Sequence, residues 1–305
     1  ALHGYDGVME SVETLAAVLA VMRAKKRGLS RPDRVRMLLD SGDPGEVLAE
    51  LTGPALLDDP VLERARRDVE QWIEQGMRLV SVLSGAYPVR LREVREAPAL
   101  LYYQGDLTPD DQGVCVVGSR DADDDALQVA RYVSTALVRA GLTVVSGLAA
   151  GIDTAAHAAA LKASGRTVAV MGTGLERTYP RANTRLRADI VESGGLVMTQ
   201  FEPGATVRRA SFPMRNAVMS GYGVTTFVVT AGEHSGTRTQ ATRAVEHGRG
   251  VILARRVAER TSWGREMART DRALVADRTD DILAQVHDLQ AERARAGEHP
   301  RALTA

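Results

Sequence analysis

Four short stretches concentrate the residue types that hold an anion. They are Gly118-Ser119-Arg120, Ser146-Gly147-Leu148-Ala149-Ala150-Gly151-Ile152-Asp153, Gly172-Thr173-Gly174-Leu175 and Glu233-His234-Ser235-Gly236-Thr237. Glycine lets backbone approach a ligand closely. Hydroxyls and free N–H groups donate hydrogen bonds, and a guanidinium pairs with phosphate through a fork. Helix starts fall near Ile152 or Thr154 and near Thr237. They aim free N–H groups and a positive dipole end at the same edge. A single glycine turn is equally well explained by tight packing, whereas four in one chain favour a phosphate ligand. None reads G-x-G-x-x-G with a ribose-binding acid at the usual distance, which argues against a redox dinucleotide. None is a Walker loop, because the lysine is missing.

Two side chains beside these loops have blander readings. Asp153 is unwelcome next to a phosphate and reads as a helix-start residue or a partner that orients Arg120. His157, one turn into the same helix, reads as a packed, hydrogen-bonded histidine with no nucleophile beside it in sequence.

The elements that must carry the loops follow from the hydrophobic pattern. Strands are expected near 114–118, 143–146, 167–171, 195–199, 224–230 and 250–254. Helices are expected near 124–140, 152–163, 183–193, 214–222 and 236–247. Such alternation predicts an α/β fold with a mostly parallel sheet covered by helices. Ligands of these sheets bind beyond the carboxyl ends of the strands, where the four loops fall. Before the sheet, residues from about Ser11 to Gln75 read as short helices, with N-terminal signals at Ser30-Arg31-Pro32 and Asp43-Pro44. Residues 1–77 are therefore a small all-α unit. Residues 78–112 are a connecting segment biased towards extended structure by its prolines. Residues 113–291 are the α/β domain and 292–305 a flexible tail.

Composition bounds the function. Acidic and basic residues balance at 39 each, so any polyanion site must come from local clustering. Only Lys25, Lys26 and Lys162 are lysines. The Arg-rich segment from Arg255 to Arg272, with Trp263 inside it, reads as a solvated surface. Aromatics make up 4%, leaving little material for a surface built on stacked rings. The one cysteine, Cys115, reads as a core residue and excludes a disulfide framework. No membrane span or signal peptide is visible, and the cytoplasm is the expected location.

In order and spacing, these motifs resemble the DprA/Smf family of DNA-processing proteins. The resemblance is carried by Gly118-Ser119-Arg120, by Ser146–Asp153 with His157, and by Gly172–Leu175 with Tyr179-Pro180 and Asn183. Phe212-Pro213-Met214-Arg215-Asn216, Ser235-Gly236-Thr237 and Gly248-Arg249 complete it. It covers roughly residues 30 to 290. It implies an extended Rossmann-like domain, a SAM-like helical domain at the N-terminus, single-stranded DNA binding and a homodimer. It also implies help in loading the RecA recombinase during natural transformation, with no catalytic step and no cofactor. The implied DNA-contacting set is Gly118, Ser119, Arg120, Gly147, Ala150, Gly151, Gly174, Arg185, Arg215, Asn216, Ser235, Gly236 and Thr237.

The chain departs from the family pattern in four places. Asn216 is followed by Ala217 where a second arginine is usual. Gly-Ser-Arg runs into the acidic Asp121-Ala122-Asp123-Asp124-Asp125. Ala254-Arg255-Arg256-Val257 stands where V-P-G is usual, and the stretch after Gln290 is expected to be too short for the winged-helix domain of many members. Two other readings stay open. One is a nucleotide-binding or nucleoside-monophosphate phosphoribohydrolase-like protein of the same superfamily, with Glu233 or Asp153 near the sugar. The other is a dimeric adaptor that has lost DNA binding.

Overall fold

The computed structural model describes residues 10–53, 60–206 and 208–298. Residues 1–9 and 54–59 of the expected helical unit, and 299–305 of the expected tail, lie outside the described residues. The described residues begin with four helices: α1 (Val12–Arg23), α2 (Arg31–Ser41), α3 (Pro44–Thr52) and α4 (Pro60–Glu74). Their starts obey local chemistry. Ser11 accepts from the Thr14 N–H, Ser30 and Asp33 form a reciprocal capping box, and Asp43 accepts from the N–H groups of Gly45 and Glu46.

Nine strands then form one sheet: β1 (Arg78–Ser81), β2 (Leu100–Gly105), β3 (Gly113–Val117), β4 (Thr143–Ser146), β5 (Thr167–Val170), β6 (Leu196–Thr199), β7 (Thr225–Val228), β8 (Gly250–Ala254) and β9 (Leu274–Ala276). Their spatial order is β1-β2-β6-β5-β4-β3-β7-β8-β9. The pairs β1–β2 and β2–β6 are antiparallel, and the remaining pairs are parallel. The fold is thus the expected mixed α/β, Rossmann-like architecture. Residues 78–105 contribute two of its strands.

The connecting helices are α5 (Val89–Arg92), α6 (Asp124–Arg139), α7 (Ile152–Lys162), α8 (Thr184–Glu192), α9 (Ser211–Tyr222), α10 (Gly236–Glu246), α11 (Arg255–Arg260), α12 (Ser262–Arg269) and α13 (Thr279–Glu298). The α13 helix extends to Glu298, into the stretch expected as a tail. Alternate residues of β3 face opposite layers. Val114 and Val116 pack with α6, α7 and α13, whereas Cys115 and Val117 pack on the side of α9 and α10. Burial on both faces is why the central strands read as continuous apolar runs. The Arg-rich segment folds as α11 and α12, with Val257, Trp263 and Met267 buried and most of the arginines turned outward.

The helical unit is fastened to the sheet by Arg23. Its guanidinium pairs with Asp68 of α4 at 2.6 Å and with Glu202, beyond β6, at 2.7 Å. It also lies 5.7 Å over the Trp72 ring, which meets Tyr102 of β2 edge-on at 5.3 Å. Arg23→Ala is expected to cost about 1 kcal/mol in chemical denaturation. It should also accelerate amide exchange in α1 and α4 more than in β3–β5. Uniform exchange would show that the tie lies elsewhere.

Candidate functional site

Strand order in the sheet reverses between β3 and β7: from there, successive strands run outward in opposite directions. Helices leaving these two strands diverge, and a crevice opens outside their carboxyl ends. A cavity of about 500 Å³ occupies that position. The loop after β3 lines it with Gly118, Ser119, Arg120 and Asp121. The loop after β7 and the start of α10 add Gly232, His234, Ser235, Gly236 and Thr237, while α9 adds Phe212, Arg215 and Asn216. Ser235 caps α10, its hydroxyl accepting from the Thr237 N–H at 3.1 Å. The positive end of that helix therefore meets the cavity. Asn216 Nδ2 donates to the Gly236 carbonyl at 3.2 Å and ties α9 to the same turn.

Part of this wall is a clasp. Asp153, buried at the start of α7, accepts from the N–H groups of Gly147 and Ala149 at 3.1 and 3.3 Å. Arg215, also buried, donates to the Val170 carbonyl at 3.2 Å and lies 3.9 Å from Asp153. Burial pushes the Asp153 carboxyl up, opposed by Arg215 and by the two N–H donors. Burial likewise draws Arg215 down, opposed chiefly by Asp153. A side chain at Gly147 would sit 1.2 Å from the Arg215 guanidinium, so only glycine leaves room for it. Gly151 has φ +73°, and a Cβ there would lie 2.4 Å from the carbonyl oxygens of Ser119 and Arg120. Asn183 closes the loop, donating to the carbonyls of Leu148 and Ala149 and to the Thr154 hydroxyl.

The expected site residues therefore divide. Gly118, Ser119, Arg120, Arg215, Asn216, Ser235, Gly236 and Thr237 come together around the cavity. Gly147, Ala150 and Gly151 lie outside its lining and buttress it. The Gly147 N–H is engaged by Asp153 instead of being free for an anion. Gly174 follows β5, two strands from the reversal, and the Glu176 carboxylate closes over it. Arg185 is 77% exposed on α8, paired with Asp189 and Glu192 of the same helix. Sequence reasoning missed Phe212 as a site residue, although it stands in the Phe-Pro-x-Arg-Asn motif. The Arg120 guanidinium lies 4.9 Å over its ring.

The acidic run is partly neutralised. Asp123 caps α6 through the Ala126 N–H at 2.8 Å and takes the Arg256 fork at 2.5 and 3.0 Å. These bonds, the arginine's first, hold its carboxyl at about 2. Asp121 stays at the cavity rim. His157 is a core residue. The single proton of the Thr167 hydroxyl goes to the Val144 carbonyl, so His157 Nδ1 donates to that hydroxyl at 2.7 Å. Burial, then Arg215, pulls its pKa down to about 3. Cys115 is inert, its thiol pushed up to about 12 by burial. Among the described residues no cluster of His, Cys, Asp and Glu has the makings of a metal site.

The fold and cavity define a Rossmann-like protein that gathers a guanidinium, a helix N-terminus and a glycine loop around one cavity at its topological switch point. The chain belongs to the DNA recombination-mediator protein A family, whose model matches residues 78–287. It is 41% identical over 176 residues to the DNA processing protein DprA of Streptococcus pneumoniae, covering 56% of this chain and 61% of that protein. The chain spans about three fifths of the length of the curated relatives it matches first. The X-ray structure of DprA from Streptococcus pneumoniae superposes with a TM-score of 0.71 at 28% identity, covering 91% of this chain and 98% of that one. A Helicobacter pylori DNA processing protein A, whose structure is described for its single-stranded DNA binding mode, shares the fold. Its TM-score is 0.61 at 20% identity, over 71% of this chain and 96% of that one.

Two outcomes follow from the clasp and the core histidine. Gly147→Ala is expected to destabilise the chain by about 1–3 kcal/mol, because the guanidinium would be pushed off Asp153 and the Val170 carbonyl; an unchanged denaturation midpoint would show that Arg215 relocates without cost. For His157, the folded pKa near 3 lies below the ordinary 6.5. The neutral form's contribution is complete above pH 6.5 and is lost as pH falls towards 3. Between pH 6.5 and 5, stability should fall by up to about 1.4 kcal/mol per pH unit. His157→Gln should flatten that slope, leaving the share of His247, which burial also draws down. Equal slopes in the two proteins would place the acid sensitivity elsewhere.

Proposed function

We propose that this chain binds single-stranded DNA by its phosphates at the β3/β7 crevice, without turnover. The observation that carries the reading is the convergence of exposed Arg120 with the Ser235-capped start of α10 around one cavity. Backbone N–H groups and a guanidinium hold phosphates without reading bases. Binding is therefore tolerant of sequence and weakened by salt. Family membership supports a role in DNA processing during transformation, in the cytoplasm. It also supports a homodimer that hands its strand to the RecA recombinase. A pull-down with the host recombinase tests the last step, and lack of association would count against it.

The enzyme reading has less support. Asp153 is engaged by two N–H groups. Glu233 accepts from the Ser262 N–H and hydroxyl, which hold its carboxyl low. The carboxylates weighed for sugar chemistry are thus committed to other partners. Release of free base from a nucleoside monophosphate would revive that reading.

Arg120→Ala is the cleaner test of the pocket, because Arg215 is buried and its loss would leave Asp153 uncompensated at a cost of about 3–5 kcal/mol. In titrations of single-stranded and duplex DNA over a salt series, the wild type should prefer single strands. Arg120→Ala should weaken binding and reduce the slope of log K against log salt by about 0.7 for each phosphate that Arg120 neutralises. Identical slopes in the two proteins would remove Arg120 from the interface.

A further inference from the structure

We propose that Tyr179 is the platform on which a base stacks as the bound strand leaves the pocket, and that the strand leaves on this side only. The inference rests on the single-strand reading above. Tyr179 is 54% exposed, a large ring left in solvent beside the cavity. Its centroid lies 6.2 Å from that of Phe212, which lines the cavity. Phe212 is not the open ring of the pair. The Arg120 guanidinium covers it at 4.9 Å, and it packs against Gly172, where a Cβ would come within 3.2 Å of the ring. Arg120, Phe212 and Tyr179 thus form a short row, its two rings tilted by 52°, that starts in the pocket and ends in an exposed aromatic face.

The two rims of the pocket differ in charge. Asp121 lines the rim after β3, Asp124 and Asp125 are exposed at the start of the α6 helix that follows, and these carboxylates repel a phosphate backbone. Arg256 is engaged by Asp123. On the Tyr179 side, Arg177 and Arg181 are exposed, Arg208 and Arg209 are exposed just before Phe212, and the exposed carboxylate of that loop, Glu176, accepts from the Gly204 N–H at 2.8 Å. A strand held by Arg120 therefore meets repulsion in one direction, and in the other an aromatic ring with cations around it. Every base has a π face, so such a platform is indifferent to sequence.

The test uses the full chain and an oligothymidylate of about 16 nucleotides, long enough to run past one binding groove. Tyr179→Ala should weaken binding roughly 5- to 100-fold and leave the salt slope unchanged, because no charge is removed. Tyr179→Trp should keep the affinity and show quenching of its indole emission when the oligonucleotide is added. Abasic substitution along the oligonucleotide should reveal one position that weakens the wild type and does not weaken Tyr179→Ala further. Near-wild-type binding by Tyr179→Ala, alongside weakened binding by Arg120→Ala, would overturn the platform and leave the pocket standing. A wild-type chain that binds no oligonucleotide would overturn both.

Discussion

The Arg215 guanidinium is buried in the cavity wall, and the neighbouring backbone is arranged around it. Its charge faces Asp153, its Nη1 reaches the Val170 carbonyl of β5, and its space is the one vacated at Gly147. An isolated buried cation would be expensive, so each of these partners is a condition for the others. Asp153 in turn gathers the N–H groups of Gly147 and Ala149 and holds the loop after β4 in a tight turn. That turn, through Gly151, supports the carbonyls of Ser119 and Arg120. The exposed Arg120 at the cavity is thus positioned by way of the buried Arg215.

The same arrangement explains how a chain with no net charge gathers donors suited to phosphate around one cavity. Local geometry decides it. The α10 N-terminus, Arg120 and the polar loop after β7 converge because strand order reverses between β3 and β7. The acidic run after Arg120 is compatible with this. Asp123 is drawn into the α6 cap and the Arg256 fork, while the remaining carboxylates mark one rim as unfavourable to phosphate. Scarcity of aromatic residues is likewise offset by placement, since Phe212 and Tyr179 lie side by side at the other rim.

Much of the fold was legible because its signals are local. Apolar runs at Val114–Val117 and Thr143–Ser146, helix-capping residues at Ser30, Asp43 and Ser235, and glycine turns after the strands are written within a few residues of where they act. The antiparallel β2 was less visible, since its partner β6 lies far along the chain and its own residues read only as extended. The Arg-rich segment was correctly read as a solvated face, yet its two helices and the buried Trp263 emerge only once a sheet is there to pack against.

The site divides along the same line. By itself, the sequence determined which residue types are on offer, that they follow strands, and the family to which the chain belongs. Those properties depend on spacing along the chain. Tertiary structure decided which loops meet. Gly174 follows a strand as Gly118 does, but β5 lies two positions from the reversal and β3 lies at it. Arg185 and Arg120 are both exposed arginines, but one is paired along its own helix and the other lies over Phe212 at the cavity. Arg215 read as a ligand-binding arginine; it lines the cavity and, with Asp153, forms a buried clasp in its wall. Burial is a property of what packs around a residue and has no signature in the residue's own position along the chain.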